Sequence, residues 1–460
     1  MRQLLKSISL LFIILLSPLT LFSLTLDLKS AIEIGLKNNK ELKIAREKVK
    51  AAKADLAIAR SSFFPSIEAK GNYTYLGIVP EAEMMSMGYV PMPTMTDPYR
   101  HTHTLETIKM KMARQNNYEA SISVTQPIFM WGRLINSYKV SKIKLEIEQE
   151  NYKKTKLKII KEIKNSFYGY LVAKESFKLM EESYKQLEEN VKSAEVNYKS
   201  GIITKYDFMA ISIQLANLEP AVLQVKNGVL LAKEKLKNVL GLDTDDFNVE
   251  GDFKYNKVEY DFEKLKKIFF KNNLDLKILT LQKKVMAKVI SLSRAANKPS
   301  IVGVFNYKYS YIPDDDDTFG SSEPDSWTAT VALTVPISEW FPWSKTMNDI
   351  DKSKENYKQI DLTYKQVAEG LLIRLKQIYL ELETQYNVIE SQKKNIKNAN
   401  ETYLFRKKQY KSGLIRYTEL IDAQVSLTKA KTNYLEAVFK YIMAKANLDE
   451  ILGKENRKEF

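Results

Sequence analysis

Asn38-Asn39-Lys40-Glu41-Leu42-Lys43-Ile44 recurs as Asn272-Asn273-Leu274-Asp275-Leu276-Lys277-Ile278, and this repetition sets how the rest of the chain is read. At the same offset of 234 residues, Pro65-Ser66-Ile67 recurs as Pro299-Ser300-Ile301, and Asn72-Tyr73-Thr74-Tyr75 as Asn306-Tyr307-Lys308-Tyr309. Gln126-Pro127-Ile128 then matches Val335-Pro336-Ile337. Tyr198-Lys199-Ser200-Gly201 matches Tyr410-Lys411-Ser412-Gly413, and Leu240-Gly241 matches Leu452-Gly453, by now at an offset of 212. The order never changes, and the shrinking offset gives the first copy a longer loop. Self-similarity on this scale is the signature of tandem structural units. The expected organisation is a first repeat over 24–250 and a second over 251–460.

Within each copy the hydrophobic period changes twice. Residues 31–60 and 262–297 have helical spacing, and short runs of period two follow near 64–76, 118–130, 299–311 and 326–337. The clearest is Trp327-Thr328-Ala329-Thr330-Val331-Ala332-Leu333-Thr334-Val335, where large apolar residues alternate with small or hydroxyl ones. Each run is near the ~9–11 residues that a tilted strand needs to cross a bilayer. Four strands cannot close a barrel, and open sheet edges are not tolerated in lipid, so spanning strands oblige the chain to oligomerise. Three chains supply twelve.

Very long helices follow the strands, in hairpins predicted over 133–241 and 345–453. Apolar residues at Ile160, Ile163, Phe167, Tyr170, Phe177, Met180, Tyr184, Leu187, Val191, Ala194 and Tyr198 keep a coiled-coil frame. The second copy repeats it from Leu372 to Tyr410, with the frame broken at Lys174, Gln392 and Arg406. From Leu134 to Ser200 the run is roughly 100 Å of helix at ~1.5 Å per residue. Gly201 and Gly413 permit the reversals. Pro220 falls in the first return helix, where it is expected to kink or break it. Where strand meets helix, Phe129, Trp131, Trp340, Phe341 and Trp343 suit a membrane–water belt, with ordinary core packing as the other reading.

The N-terminus reads as a signal peptide over 1–23. Arg2 and Lys6 are basic, Leu10 to Leu16 is nearly all apolar, Pro18 ends the run, and the small residue Ser23 marks the cut. No other stretch reads as approaching the ~20 apolar residues of a spanning helix. The chain has no cysteine and two histidines, His101 and His103, which excludes thiolate metal sites and most imidazole chemistry. Its 71 Lys and Arg against 56 Asp and Glu give +15, but the lysines interleave with glutamates along helices, a solvated face rather than a nucleic-acid stripe. Met84, Met85, Met87, Met92 and Met95 with His101 and His103 could take Cu(I) or Ag(I). We prefer a Pro-containing surface loop over 84–112. Asp314-Asp315-Asp316-Asp317 lacks a spaced Ca²⁺ pattern and reads as a solvated loop. No nucleophile–base set, phosphate cradle or metal cluster stands out, so no catalytic residue, metal or cofactor is assigned.

The opening Leu24-Thr25-Leu26-Asp27-Leu28 through Asn38-Asn39, Phe64-Pro65-Ser66-Ile67, Gln126-Pro127-Ile128-Phe129 with Gly132-Arg133, and above all the paired tips Tyr198 to Phe208 and Tyr410 to Gln424 carry a resemblance. In that order, duplicated in one chain, they resemble the TolC family of outer-membrane efflux proteins over nearly the full length. The resemblance implies a fold mainly α with membrane β: a homotrimer with a twelve-stranded barrel in outer-membrane lipid, continued by an α-helical coiled-coil barrel through the periplasm. It implies a duct for efflux or secretion, coupled to an inner-membrane transporter through a periplasmic adaptor, with Gly201, Ile202, Gly413 and Leu414 at the contacting tips. By motif position it implies a latch of Asp207 with Tyr410, and an acidic ring of Glu419 and Asp422. The family's arginine falls at Ile415 here, with Arg416 one residue along. Two carboxylates three apart share a helix face, so three chains bring six around one axis and favour cations. The alternative for those acids is helix N-terminal residues facing solvent. For the whole chain it is a non-conducting envelope spacer or adhesin.

Overall fold

The computed structural model describes residues 24–91, 101–111, 113, 115–253, 255, 257, 260–311 and 325–454. The expected signal peptide, Met92 and Met95, and Asp314 to Asp317 lie outside the described residues. The elements are β1 (Leu24–Leu26), α1 (Leu28–Asn38), α2 (Lys40–Ser61), β2 (Ser66–Tyr75), β3 (Glu81–Pro91), β4 (His101–Lys111), β5 (Asn116–Phe129), α3 (Arg133–Lys199) and α4 (Lys205–Leu240). They continue with β6 (Phe247–Val249), α5 (Phe262–Asn272), α6 (Leu274–Ala295), β7 (Ser300–Tyr311), β8 (Asp325–Thr334), α7 (Lys345–Lys411) and α8 (Tyr417–Ile451). Helix lengths match in pairs: α1 and α5 have 11 residues, α2 and α6 have 22, α3 and α7 have 67. The chain forms two compact units and passes between them inside α2, α3, α6 and α7.

The unit made of residues up to 50, 146–281 and 361 onward explains the repeated Asn-Asn and Leu-Gly motifs as two halves of one joint. Asn39 accepts from the Leu42 amide (3.2 Å) and donates to the Val239 carbonyl (3.1 Å), so it starts α2 and ties down the end of α4. Asn273 does the same for α6 and α8, accepting from Leu276 (3.0 Å) and donating to the Ile451 carbonyl (2.9 Å). The glycines complete the joint. Gly241 and Gly453 have φ of 65° each, and a Cβ on Gly453 would stand 2.6 Å from the Asn272 carbonyl oxygen. Both the left-handed backbone and the close approach exclude a side chain there.

Two cores flank these joints. Leu26, Ile32, Ile159, Ile163, Phe167, Leu236, Leu240 and Phe247 form one, around the parallel pair β1–β6. Leu265, Phe269, Leu375, Ile378, Leu382, Ile389, Val438 and Leu448 form the other. Each side chain so buried contributes on the order of 1.5–3 kcal/mol. Two expectations fail here. α4 runs through Pro220 as one continuous helix, so the expected break is not there. α4 is also long and apolar enough, by length and composition, to cross a membrane. Its Met209, Ile213, Leu223, Leu230 and Leu231 are exposed along the helix, which makes it an unpartnered apolar surface in the single chain.

The unit of residues 51–145 and 282–360 holds an antiparallel sheet in the order β2-β5-β7-β8. Its four strands fall where the alternation placed them. The stretch 84–112 differs from the loop reading: β3 and β4 form a two-stranded hairpin, Met84 opposite Ile108 and Met85 opposite Thr107. Its period-two pattern is masked in the sequence by the flexible, strand-neutral methionines.

Candidate functional site

Register sorts the sheet into two chemically distinct faces, because residues directly opposite across an antiparallel pair share a side. One face carries Ile67, Ala69, Tyr73, Tyr75, Tyr118, Ile122, Val124, Phe305, Tyr307, Tyr309, Tyr311, Trp327, Ala329, Val331 and Leu333. The other carries Ser66, Glu68, Lys70, Asn72, Asn117, Glu119, Ser121, Ser123, Asn306, Lys308, Ser326, Thr328 and Thr330. Ion pairs sit only on the second among the described residues of the sheet, Lys308 with Glu119 at 2.8 Å and Lys70 with Glu68 at 3.3 Å. A soluble sheet with an aromatic face this large would cover it, yet Trp327 is 68% and Val331 72% exposed. The outer edges of β2 and β8 pair with no strand among the described residues.

Aromatic residues cluster at both ends of the apolar face. Tyr73, Tyr118 and Tyr311 form a row across three strands, with ring centroids 4.9 and 6.1 Å apart. At the other end Phe129 packs edge-on to Trp131 (5.3 Å), and Phe341 stacks on Trp343 (4.9 Å). Trp340 donates its indole N–H to the Asn297 carbonyl (2.5 Å) while its ring stays half exposed. Tyr118 and Phe129 are eleven positions apart on β5. At ~3.3 Å per residue and a ~40° tilt, that spans about 28 Å, near the ~25 Å apolar band of outer-membrane strands. The junction aromatics were legible in the sequence. The tyrosine row was not, because it forms only once register brings three distant strands together.

The hairpin tips lie in the other unit. α3 and α7 end alike: Ile202 N–H bonds to the Asn197 carbonyl (2.9 Å) and Leu414 N–H to that of Gln409 (3.0 Å), around Gly201 (φ 72°) and Gly413 (φ 70°). This is a Schellman ending, which glycine permits at no steric cost. It leaves Ile202 and Leu414 71% and 73% exposed at the turns. The return helices start differently. Thr204 caps α4 in a reciprocal box with Asp207, its hydroxyl donating at 2.7 Å and its amide at 3.3 Å to the carboxylate. Arg416 occupies the cap of α8 with no side-chain bond.

These contacts place the candidate residues as follows. The Asp207 carboxyl is held below its ordinary range, chiefly by the Thr204 hydroxyl and to a smaller degree by the Arg416 cation. Its bonds within the chain go to Thr204. Tyr410 is half-buried, edge-on to Tyr417 at 5.1 Å, and burial pushes its phenol up. Glu419 and Asp422 are both exposed on α8. Glu419 accepts from Arg406 Nη1 at 2.7 Å. That partner had a sequence signal: Arg406 interrupts the apolar frame of α7. Behind them lies a tip core of Leu187, Ala194, Ile211, Tyr417, Leu420 and Ile421. Gln424, in the quoted motif but given no role from sequence, is buried against α3 and donates to Gln186 Oε1 at 2.7 Å.

The sequence profile of the outer membrane efflux protein family matches residues 31–242 and 269–454. The chain belongs to the outer membrane efflux protein family. Solved structures of similar fold include the CmeC outer membrane channel of Campylobacter jejuni, at 16% identity over 93% of this chain and 85% of that one, with TM-score 0.74. The open state of the MtrE outer membrane channel of Neisseria gonorrhoeae matches at 15% identity over 93% and 89%, TM-score 0.72. VceC of Vibrio cholerae, an outer membrane protein, matches at 13% over 93% and 96%, TM-score 0.70. No match is found among curated protein sequences. As an efflux-family member the protein resides in the outer membrane and serves as an exit duct, with its helices extending into the periplasm.

Proposed function

We propose that three copies of this efflux-family chain form one gated conduit, each contributing four strands to a twelve-stranded barrel and one pair of helical hairpins to a periplasmic tube. The observation that carries this reading is the sheet with one aromatic-aliphatic face, one polar face and two unpaired edges. In lipid such a sheet has to close, apolar face outward and polar face around water. The aromatic residues at its two ends, with Phe129, Trp131, Trp340, Phe341 and Trp343 on the helix side, become the two interfacial girdles. The duplicated unit, 24–250 and 251–460, supplies the strand pair and hairpin of each half.

Solute is carried and no bond is made or broken, so energy comes from an inner-membrane transporter that docks through a periplasmic adaptor. The exposed turns at Gly201-Ile202 and Gly413-Leu414 are the surfaces offered to it. Asp207, Tyr410 and Arg416 form the latch region, and the Arg416 charge is the weakest of the groups that lower the Asp207 carboxyl. Glu419 and Asp422 share one face of α8 and line the narrowest ring.

Ring charge has a direct consequence. Carboxylates crowded around a three-fold axis attract cations and repel anions. In a bilayer with a tenfold KCl gradient, the reversal potential is expected to lie on the cation side, and Glu419→Gln with Asp422→Asn should move it close to zero. An anion-selective wild type, or a double variant with unchanged selectivity, overturns the acidic ring.

A further inference from the structure

Two buried polar groups in the tip core pull in opposite directions. Gln424 on α8 reaches across to α3, its amide donating to Gln186 Oε1 at 2.7 Å and lying 3.4 Å from Ser183 Oγ. It joins the outgoing helix of the first hairpin to the return helix of the second, 238 residues apart in the chain. One turn before the tip core ends, Tyr417 is also buried, yet its hydroxyl meets no hydrogen-bond partner. Tyr410, Leu420 and Ile421 surround it. A satisfied buried amide favours the arrangement that holds it, and an orphaned buried hydroxyl penalises it.

We propose that Gln424 is a clasp and Tyr417 a built-in opener, together setting the balance between a tip with α8 seated on α3 and one with α8 displaced. In the seated arrangement the clasp is made and the phenol is dry. Displacing α8 breaks the Gln424–Gln186 bond and admits water to the Tyr417 hydroxyl. The two terms are of similar size, so the balance lies within reach of a docking partner. This inference rests on the reading of the tips as the gate, and it adds a pair of positioning residues that lie behind the latch region and touch no solute.

The test uses the intact protein and two near-isosteric changes, Gln424→Leu and Tyr417→Phe. Losing the clasp should speed amide hydrogen exchange in the first turns of α8 about tenfold, and losing the orphan hydroxyl should slow it by a similar factor. Channel steps should grow in the first variant and shrink in the second. A purely structural role predicts the same direction for both, so shifts of the same sign, or none, overturn the proposal. Opposite exchange shifts with unchanged conductance support the clasp and overturn its link to the gate. The chain's lack of cysteine offers a second readout. Gln186→Cys with Gln424→Cys, joined by a short thiol-reactive linker that itself contains a disulfide, should hold the steps at their smallest size until a reductant cleaves the linker, and conductance indifferent to the linker again breaks the link.

Discussion

Val331→Lys is expected to prevent the protein from reaching a stable membrane-inserted form, whereas Thr330→Lys, its neighbour, is tolerated. Val331 lies near the middle of β8 on the face with Trp327, Ala329 and Leu333, opposite Gly303. Thr330 lies opposite Val304, on the face that carries Lys308 and Glu119. In the proposed three-chain barrel, a lysine on the lipid face at the bilayer midplane costs about 2–4 kcal/mol per chain, so about 6–12 kcal/mol in all. On the water-filled side the same charge costs little. The measurement is the yield of folded, urea-resistant protein in liposomes. Equal yields for the two variants would mean that neither face meets lipid.

The second large effect is in the helical unit. Phe269 on α5 is fully buried among Leu375, Ile378 and Leu448. Phe269→Ala leaves a cavity the size of a ring, which costs roughly 3–5 kcal/mol in a core that relaxes only partly. A thermal or urea midpoint lowered accordingly is expected, with the sheet's secondary structure retained. The equivalent place in the first copy, counting back three from Asn38 as Phe269 stands three before Asn272, is Gly35. There a Cβ would stand 2.4 Å from Ile163 Cδ1, so Gly35→Ala should also destabilise, through overpacking rather than a void.

This pair shows what was readable in the sequence and what was not. The repeated Asn-Asn and Leu-Gly motifs gave the element order, since each performs a local task (a cap, a left-handed ending) that needs those residues wherever it occurs. The four sheet strands were legible through period-two alternation, cleanest in Trp327 to Val335. The hairpin of β3 and β4 was not, since methionine carries little strand preference. The exchange of glycine for phenylalanine between the two cores was invisible too, because volume is balanced against residues more than a hundred positions away. At the tips, the turn glycines Gly201 and Gly413 announced themselves by motif. Gln424 and Tyr417 did not, since whether a polar group is paired or orphaned depends on packing between helices distant in sequence.

Single-channel recording of the purified protein in a planar bilayer addresses the conduit most directly, with Asp207→Ala, Tyr410→Phe as the companion variant. Small, cation-selective steps in the wild type that grow in the variant are the expected result, and they would locate the constriction at the hairpin tips. A protein that inserts as a trimer yet carries no current, with the tips intact or altered, would contradict a conducting duct and leave an envelope spacer in its place.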